Sequence, residues 1–446
     1  MGAAALTDDT MRKSICFVSL YSYSLFKEGA THVFGGGSGV RAWLFGNGLS
    51  ELPYNDVSFI VFDHGQPKSE CFKKITVYRH SHYKGPDMFG ERLVGEMAGS
   101  VRKSKKFPFL KIVAEKISAH LLWKIFLYLA VYFKDWSLKL IWSLIRRSLY
   151  MGNYEIEYRK IRIYRKLNAD IYCAVGVSKL TAEIAVFCRQ YGKKFVLFSG
   201  SDMDFSGDYH AGSQEINIYG NIGNVCYYVI ENADLIITQT AAQSRLLMER
   251  FGKNSVTIVN PIDLDKHAHD GFEPFIGKYA LWIGRSDEIK QPEIFLKLAG
   301  IVKDIKFVMI VNQYDPRRHK KIIEMKSDNV KIIEYIPIAE IEKLFVNAFV
   351  FINTSILEGF PNAFLQAGKY GVPVLSLNVD PDNFISNNRC GIVAEGSFEK
   401  LVEGLQFILE NPDKREEFSK NIKDYVYKNH DLKGSVKMLD YVLRTL

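Results

Sequence analysis

The stretch at residues 355–376, SILEGFPNAFLQAGKYGVPVLS, constrains the fold more than any other part of the chain. The apolar runs FVFIN before Thr354 and VPVLSL after Gly371 are typical of buried parallel strands. Between them, glycine and proline precede a helical run. We therefore predict a strand, a tight loop, a helix and a second strand. The loop would lie at the carboxyl edge of a parallel sheet, where free N–H groups and the helix dipole favour an anion.

Two polar side chains of this stretch are candidates for ligand binding. Glu358 lies in the predicted loop, and Gln366 follows eight residues later, about two helical turns further on. A carboxylate beside a glycine turn and a helix start suits a sugar hydroxyl next to a phosphate. We expect Gly359, Phe360 and Asn362, at the turn and helix start, to belong to the same surface that binds the sugar and its phosphate.

The run EGFPNAFLQAGKYGVPVL resembles the signature of retaining GT-B glycosyltransferases, the family known as glycosyltransferase family 4 or group 1. The resemblance implies an α/β fold of two Rossmann-like domains that face a cleft. It also implies that the second domain holds a nucleotide-sugar donor and the first an acceptor. In that signature a second glutamate accepts hydrogen bonds from the ribose hydroxyls, but this chain has Gln366 there. A glutamine keeps an acceptor oxygen and loses charge assistance, on the order of 1 kcal/mol, so we expect weaker donor binding with the chemistry retained.

The length of the chain, 446 residues, predicts two or three domains. We assign residues 1–262 to an acceptor-binding domain with an insert at about 101–150, and residues 263–430 to a nucleotide-sugar-binding domain. Residues 431–446 would form a helix that crosses back to the first domain, as the resemblance implies. Among the elements between these landmarks, we predict helices at 154–166 and 338–348 and a strand at 330–335.

A glycine cluster follows the first predicted strand, SICFVSL, and includes Gly36 and Gly37. Its letters GSGVRA satisfy a dinucleotide fingerprint, but the glycines do not follow the strand directly, as that fold requires. The cluster is similar to the ligand-binding loop of the first GT-B domain, with a flexible turn as the alternative. Further on, Ser201 and Asp202 end a predicted strand near the expected donor sugar or acceptor, although a helix cap explains them equally well.

The second domain begins with YALWIGRSDEIKQPEIF, in which Arg285 ends a predicted strand and Lys290 precedes a helix. Two cations converging at a strand end form a clamp for a diphosphate, because arginine offers a fork of donors and lysine a point charge. The resemblance assigns them to the donor pyrophosphate and the leaving group. It also places the nucleobase against the main chain near Ile336. We predict Glu358, Arg285 and Lys290 as the catalytic residues, with no metal ligand set and no cofactor beyond the nucleotide sugar.

The predicted insert, residues 101–150, carries eleven Lys and Arg against two acidic residues, whereas the whole chain has a net charge of +8. Three tryptophans, Trp123, Trp136 and Trp142, accompany these cations. Aromatic rings with interspersed cations are typical of a helix at a membrane surface, although two ordinary helices packed on the sheet would also explain them. The apolar run is too short to cross a bilayer, and no nucleic-acid motif accompanies the charge.

The six cysteines show neither pairing nor metal-ligand spacing, which indicates reduced core thiols. The start of the chain lacks the apolar core of a signal peptide, and Met11 is an alternative first residue. The sequence therefore predicts a cytoplasmic enzyme, peripheral at the inner face of the membrane, that transfers a sugar to a glycan or lipid-linked acceptor in envelope or exopolysaccharide synthesis. Three alternatives stay open: a catalytically silent GT-B partner protein, a GT-B epimerase or phosphorylase, and an NAD-dependent oxidoreductase.

Overall fold

A computed structural model describes residues 12–27, 36–84, 148–151, 154–266 and 277–446. The side chains of His82, Lys84, Ile338, Ala339 and residues 148–159 are not described. Most of the predicted basic and aromatic insert, with its three tryptophans, lies outside the described residues. Its last residues form a strand rather than the predicted helix, because Ser148–Met151 pairs with Tyr154–Glu157 in an antiparallel hairpin.

The first domain is built on an eight-stranded sheet with the order β10-β9-β8-β7-β1-β2-β4-β3. Every neighbouring pair in it is parallel except β3 with β4. The ten strands of this part of the chain are β1 Lys13–Val18, β2 Asn55–Asp63, β3 Ser69–Phe72, β4 Ile75–Lys84, β5 Ser148–Met151, β6 Tyr154–Glu157, β7 Ile171–Val175, β8 Lys194–Phe198, β9 Leu235–Thr238 and β10 Val256–Thr257. The helices are α1 Tyr23–Phe26, α2 Gly37–Ser50, α3 Tyr158–Leu167, α4 Lys179–Tyr191, α5 Met203–Ser206, α6 Gly223–Glu231 and α7 Ala241–Phe251.

The second domain is built on a six-stranded, fully parallel sheet with the order β13-β12-β11-β14-β15-β16. Its strands are β11 Tyr279–Arg285, β12 Lys306–Asn312, β13 Val330–Ile333, β14 Ala348–Asn353, β15 Val374–Ser376 and β16 Gly391–Val393. Its helices are α8 Pro292–Ile301, α9 Pro316–Glu324, α10 Ile338–Phe345, α11 Asn362–Lys369, α12 Phe384–Asn387, α13 Phe398–Glu410, α14 Pro412–Asn429 and α15 Leu432–Arg444.

Both sheets are covered on both faces, which explains the continuous apolar runs of their strands. All six residues of β14, AFVFIN, are buried. Separate groups of buried side chains line the two faces of each sheet. Parallel sheets are found almost only where helices cover both faces in this way. The α/β expectation of two parallel-sheet domains is confirmed.

Helix α15 packs against the first domain. Val436, Leu439 and Leu443 belong to the same buried cluster as strands of the first sheet. Asn55 of β2 donates from Nδ2 to Asp440 Oδ1 at 2.8 Å. A methyl group added at Gly48 of α2 would lie 2.3 Å from Val436 Cγ2, so this glycine permits the close approach of the two helices.

Three element boundaries differ from the sequence-based expectations. The helix predicted from residue 154 begins at Tyr158, because Tyr154–Glu157 pairs as β6. The helix predicted to reach residue 348 ends at Phe345, because Ala348 opens β14. The strand predicted to reach residue 335 ends at Ile333, where its pairing with β12 stops.

All six cysteines are free, and Cys71 alone among them is exposed. Five of the six are therefore core thiols as predicted, whereas Cys71 is not, because it lies on β3 at the edge of the first sheet. No helix in the described ranges is long and apolar enough to cross a membrane.

Candidate functional site

The loop that carries Glu358 follows the carboxyl end of β14. Ser355 donates from Oγ to Glu358 Oε1 at 2.8 Å, and Lys290 forms an ion pair with the same carboxylate. The side chain of Glu358 is only 17% exposed, and that of Lys290 is 21% exposed. The structure thus brings together two of the three predicted catalytic residues from loops after two different strands.

The loop of Lys290 is fixed to the same edge of the sheet by a chain of hydrogen bonds. The main-chain N–H of Lys290 donates to Asp287 Oδ1 at 2.9 Å, and the Lys290 carbonyl accepts from Thr354 Oγ1 at 2.7 Å. Trp282 of β11 donates in turn from Nε1 to that hydroxyl at 2.9 Å. The loops after β11 and β14 are therefore joined directly beneath the Lys290–Glu358 ion pair.

Arg285 ends β11 on the same edge and keeps an accessible guanidinium, with a side chain that is 42% exposed. It forms an ion pair with Asp287 Oδ2 at 2.7 Å. The guanidinium carbon lies 4.6 Å from the centroid of the Tyr314 ring. A carboxylate and an aromatic face together restrict the orientation of the fork of N–H donors, which suits an arginine that binds phosphate.

Two helix starts from different domains meet at this cleft. Helix α2 begins after Gly36 and helix α11 after Pro361, and neither start has a side-chain cap. Asn362 Nδ2 donates to the carbonyl of Gly37 at 3.0 Å. The structure therefore places the predicted residues Gly36, Gly37 and Asn362 together. Helix N-termini with uncapped amides favour a bound anion.

The Phe360 N–H has a different partner from the one expected, and Gly359 lies against the same side chain. The Phe360 N–H donates to Gln239 Oε1 of the first domain at 2.7 Å. A methyl group added at Gly359 would lie 2.7 Å from that same oxygen. The Phe360 amide therefore meets a side chain across the cleft, which differs from the expectation that it faces a donor phosphate.

Gln366 and Ile336 are both half-buried. Gln366 lies on α11, and Ile336 lies in the connection between β13 and α10. Their predicted contacts with the ribose and the nucleobase stay predictions.

Ser201 and Asp202 follow the carboxyl end of β8 in the first domain. The Ser201 hydroxyl lies 3.3 Å from Tyr219 Oη. Asp202 precedes α5 but its side chain does not cap that helix, so the alternative of a helix cap is wrong for this carboxylate. Instead, Asp202 Oδ1 accepts from Gln243 Nε2 at 2.9 Å. Desolvation, with the nearby Asp204 and Asp382 carboxylates, raises the pKa of Asp202.

Four residues that the sequence did not single out also shape the site: Gln239, Asn260, Tyr219 and Arg41. Arg41 of α2 is buried and donates to the carbonyls of Ser199 at 2.8 Å and Ile258 at 3.0 Å. Desolvation lowers its pKa to about 9, so the guanidinium still carries its charge at neutral pH. Gln239 directly follows β9, and a polar residue at the end of a predicted strand is the sequence signal that could have identified it as a site residue. A buried arginine on a helix has no such signal, because charged residues are ordinarily exposed.

The part of the chain that the structure describes contains no group of three or more His, Cys, Asp and Glu side chains that could hold a metal ion. The site combines the cations Arg285 and Lys290, the carboxylate of Glu358, two helix starts and several neutral amides. Two parallel-sheet domains with an anion-favouring cleft between them define the GT-B class of fold.

Comparisons with known proteins agree with this class. A family model described as Glycosyl transferases group 1 matches residues 273–425, which include Arg285, Lys290 and Glu358. An uncharacterised glycosyltransferase of Haemophilus influenzae is 23% identical over 197 residues, covering 42% of this chain and 55% of that relative. The chain thus spans about half the length of this curated relative.

Solved structures show the same fold over nearly the whole chain. Sucrose-phosphate synthase from Thermosynechococcus elongatus has a TM-score of 0.66 at 15% identity, covering 97% of this chain and 99% of that one. The Anabaena protein HepE in complex with UDP and glucose has a TM-score of 0.61 at 13% identity, covering 98% and 100%. The GT-B fold is therefore confirmed, and the family match supports a transferase enzyme of the glycosyltransferase class.

Proposed function

We propose that the protein transfers a sugar from a nucleotide-sugar donor to an acceptor and retains the configuration of the anomeric carbon. One observation carries this proposal: Arg285, Lys290 and Glu358 lie together at the carboxyl edge of the second sheet, within the matched family region. Ligands of open parallel sheets bind at this edge. A pair of cations beside a carboxylate suits a sugar diphosphate, which joins an anion to hydroxyl groups.

Each residue then has a distinct role in donor binding. Arg285 and Lys290 hold the diphosphate and neutralise the charge that develops as it leaves. Glu358, held by Ser355 and Lys290, accepts hydrogen bonds from the sugar hydroxyls. The start of α11 at Asn362 faces the phosphates, with Gly36 and Gly37 on the opposite wall. Gln366 binds the ribose, and the main chain at Ile336 holds the nucleobase.

We assign the catalytic effect to positioning and to charge stabilisation. In the retaining reaction proposed here, the acceptor hydroxyl attacks from the face that the diphosphate leaves, and its proton passes to a departing phosphate oxygen. No protein side chain bonds to the sugar. Ser201 and Asp202, at the carboxyl end of β8, contact the acceptor or the donor sugar from the first domain.

For the acceptor we propose a glycan or a lipid-linked saccharide of the cell envelope or an exopolysaccharide. Support comes from the basic and aromatic composition of residues 101–150, which favours contact with anionic lipid at the inner face of the cytoplasmic membrane. Sedimentation with vesicles of phosphatidylglycerol and phosphatidylcholine tests this. Replacing Trp123 and Trp136 by alanine should release the protein from the vesicles, and unchanged sedimentation contradicts the membrane proposal.

The activity is tested by release of nucleoside diphosphate from UDP-, GDP- and ADP-sugars, beginning with UDP-glucose because HepE was solved with UDP and glucose. Lys290→Ala should lower the rate by about 100-fold, because it removes a charge that stabilises the leaving group. The matched control is Lys320→Ala, which replaces an exposed lysine of α9 that pairs with Glu324 four residues further along and should leave the rate unchanged. Equal rates in wild type and Lys290→Ala contradict the proposed site, and an inverted anomer in the product contradicts retention.

A further inference from the structure

Two neutral amides of the first domain hold the loop that carries Glu358. Gln239 Oε1 accepts from the Phe360 N–H at 2.7 Å, and Asn260 Nδ2 donates to the Phe360 carbonyl at 2.9 Å. Both amides are buried, at 4% exposure each. The two main-chain groups of Phe360 therefore depend on the first domain for their hydrogen bonds, although the loop belongs to the second.

The chemistry of these contacts requires an amide at Gln239 and a donor at Asn260. Gln239 donates from Nε2 to the Ser199 carbonyl at 2.7 Å while its oxygen faces the Phe360 N–H. Only a side chain with one acceptor end and one donor end satisfies both partners. Asn260 must likewise present its nitrogen to the Phe360 carbonyl. A carboxylate of the same size would set oxygen against a carbonyl oxygen in either place.

Glu358 stands two residues before Phe360, with Gly359 between them. A methyl group at Gly359 would lie 2.7 Å from Gln239 Oε1 and 3.0 Å from its Cδ, so the loop is seated directly on the Gln239 side chain. Separating the domains at this point would remove both hydrogen bonds of Phe360 and the surface under Gly359 together. The position of Glu358 is therefore coupled to the contact between the domains.

A second contact crosses the cleft beside the first. Asp382 of the second domain accepts from the N–H groups of Ala241 and Ala242, at 2.7 and 2.8 Å, at the start of α7. Asp382 and its neighbour Asn383 both have left-handed backbone angles, with φ of 51° and 56°. Such angles are costly outside glycine and persist where surrounding contacts fix them. The segment that follows β9 is thus bound to the second domain at two adjacent places.

We propose that Gln239 and Asn260 are positioning residues that hold the Glu358 loop from the first domain and so shape the donor site. The effect on donor binding rests on the proposed function, whereas the effect on the loop does not. A donor that binds only when the loop is held in this position has an apparent affinity reduced in proportion to the fraction of molecules that hold it so. Weakening the two amide contacts should therefore raise the KM for the donor more than it lowers kcat.

The test compares two variants with a matched control: Gln239→Leu removes the acceptor of the Phe360 N–H, and Asn260→Asp removes the donor to the Phe360 carbonyl. Asn329→Asp is that control, because Asn329 is also buried and its Nδ2 donates to three carbonyls, of Ala299, Val302 and Ile305, far along the chain from the Phe360 loop. Site-resolved hydrogen exchange of the Phe360 amide reports the loop. Calorimetric titration with UDP reports the donor site, and a melting curve verifies that each variant is folded. Gln239→Met replaces Gln239→Leu if the latter does not fold.

The expected result is that Phe360 exchanges at least about tenfold faster, and UDP binds about tenfold more weakly, in both cleft variants, with both values unchanged in Asn329→Asp. Unchanged exchange at Phe360 in both cleft variants would overturn the proposal. Faster exchange with unchanged UDP affinity overturns the coupling of the loop to the donor site. If wild type binds no UDP or other nucleoside diphosphate, the proposed function fails, while the Phe360 exchange still decides whether the two amides hold the loop.

Discussion

His430 provides the most quantitative prediction, because it is a buried titratable group at the junction between the domains. Its Nδ1 donates to the Asn260 carbonyl at 2.8 Å, and its own carbonyl accepts from the Ile262 N–H at 2.9 Å. The ring packs against Phe360, with 4.7 Å between centroids. The buried Nε2 has no hydrogen-bond partner among the described residues. The site therefore suits a neutral imidazole.

Burial lowers the pKa of His430 from 6.5 to about 4. Above the unfolded pKa of 6.5 the ring is neutral in both the folded and the unfolded chain, so its contribution to stability does not change with pH. Below it the unfolded chain gains a proton that the folded chain excludes, and the free energy of unfolding falls until the folded pKa is reached. At about pH 5 the loss is about 2 kcal/mol, from 1.36 kcal/mol for each of the roughly 1.5 pH units between the unfolded pKa and pH 5.

Chemical denaturation at about pH 7.5 and about pH 5 measures this loss, with His430→Asn as the comparison. Asparagine can place its Nδ2 near the position of the ring Nδ1, so it keeps a donor to Asn260 and removes the titration. Subtracting the loss of unfolding free energy in His430→Asn from the loss in the wild type removes the contribution of the carboxylates that titrate in both proteins. The wild type should lose about 2 kcal/mol more than His430→Asn between the two pH values. The same loss in both proteins would refute the assignment of a buried neutral imidazole.

Three further predictions concern close contacts. Gly48→Ala should lower the free energy of unfolding by about 1–3 kcal/mol through its clash with Val436, whereas Gly300→Ala, with nothing within 4 Å, should not destabilise; equal melting temperatures for the two variants contradict this. Asp382→Ala should cost about 1 kcal/mol in denaturation, because the first two N–H groups of α7 lose their acceptor across the cleft, and an unchanged midpoint argues against that contact. Gly359→Ala should weaken UDP binding in calorimetry, since its methyl group has no room, and wild-type affinity would show that the loop is not tightly seated.

The fold followed from the sequence because the central strands are apolar throughout. The run FVFIN has no amphipathic alternation, which indicated a strand buried on both faces, and β14 is so buried. Boundaries were harder, because local pattern does not show where pairing begins. The segment at Tyr154 has helical neighbours, yet its pairing with Met151 makes it a strand.

The candidate site was predictable within one domain and not between the two. Arg285 and Glu358 each follow a predicted parallel strand, and strand ends of one sheet meet at one edge. By contrast, Gln239 and Asn260 lie 121 and 100 residues from Phe360 in the chain. The glycine cluster at Gly36 and Gly37 was predictable from its composition, but no local pattern fixes how two domains face each other, so the contacts that Gln239 and Asn260 make across the cleft were not.

The central claim is that Arg285 and Lys290 form a diphosphate site at the edge of the second sheet. Calorimetric titration of UDP into the wild type, Arg285→Ala and Lys290→Ala tests it most directly, with Lys320→Ala as the exposed control. We expect each of the two site variants to bind about 10- to 100-fold more weakly, because a charge-assisted hydrogen bond is lost, and the control to match the wild type. Equal affinity in all four proteins would contradict the diphosphate site.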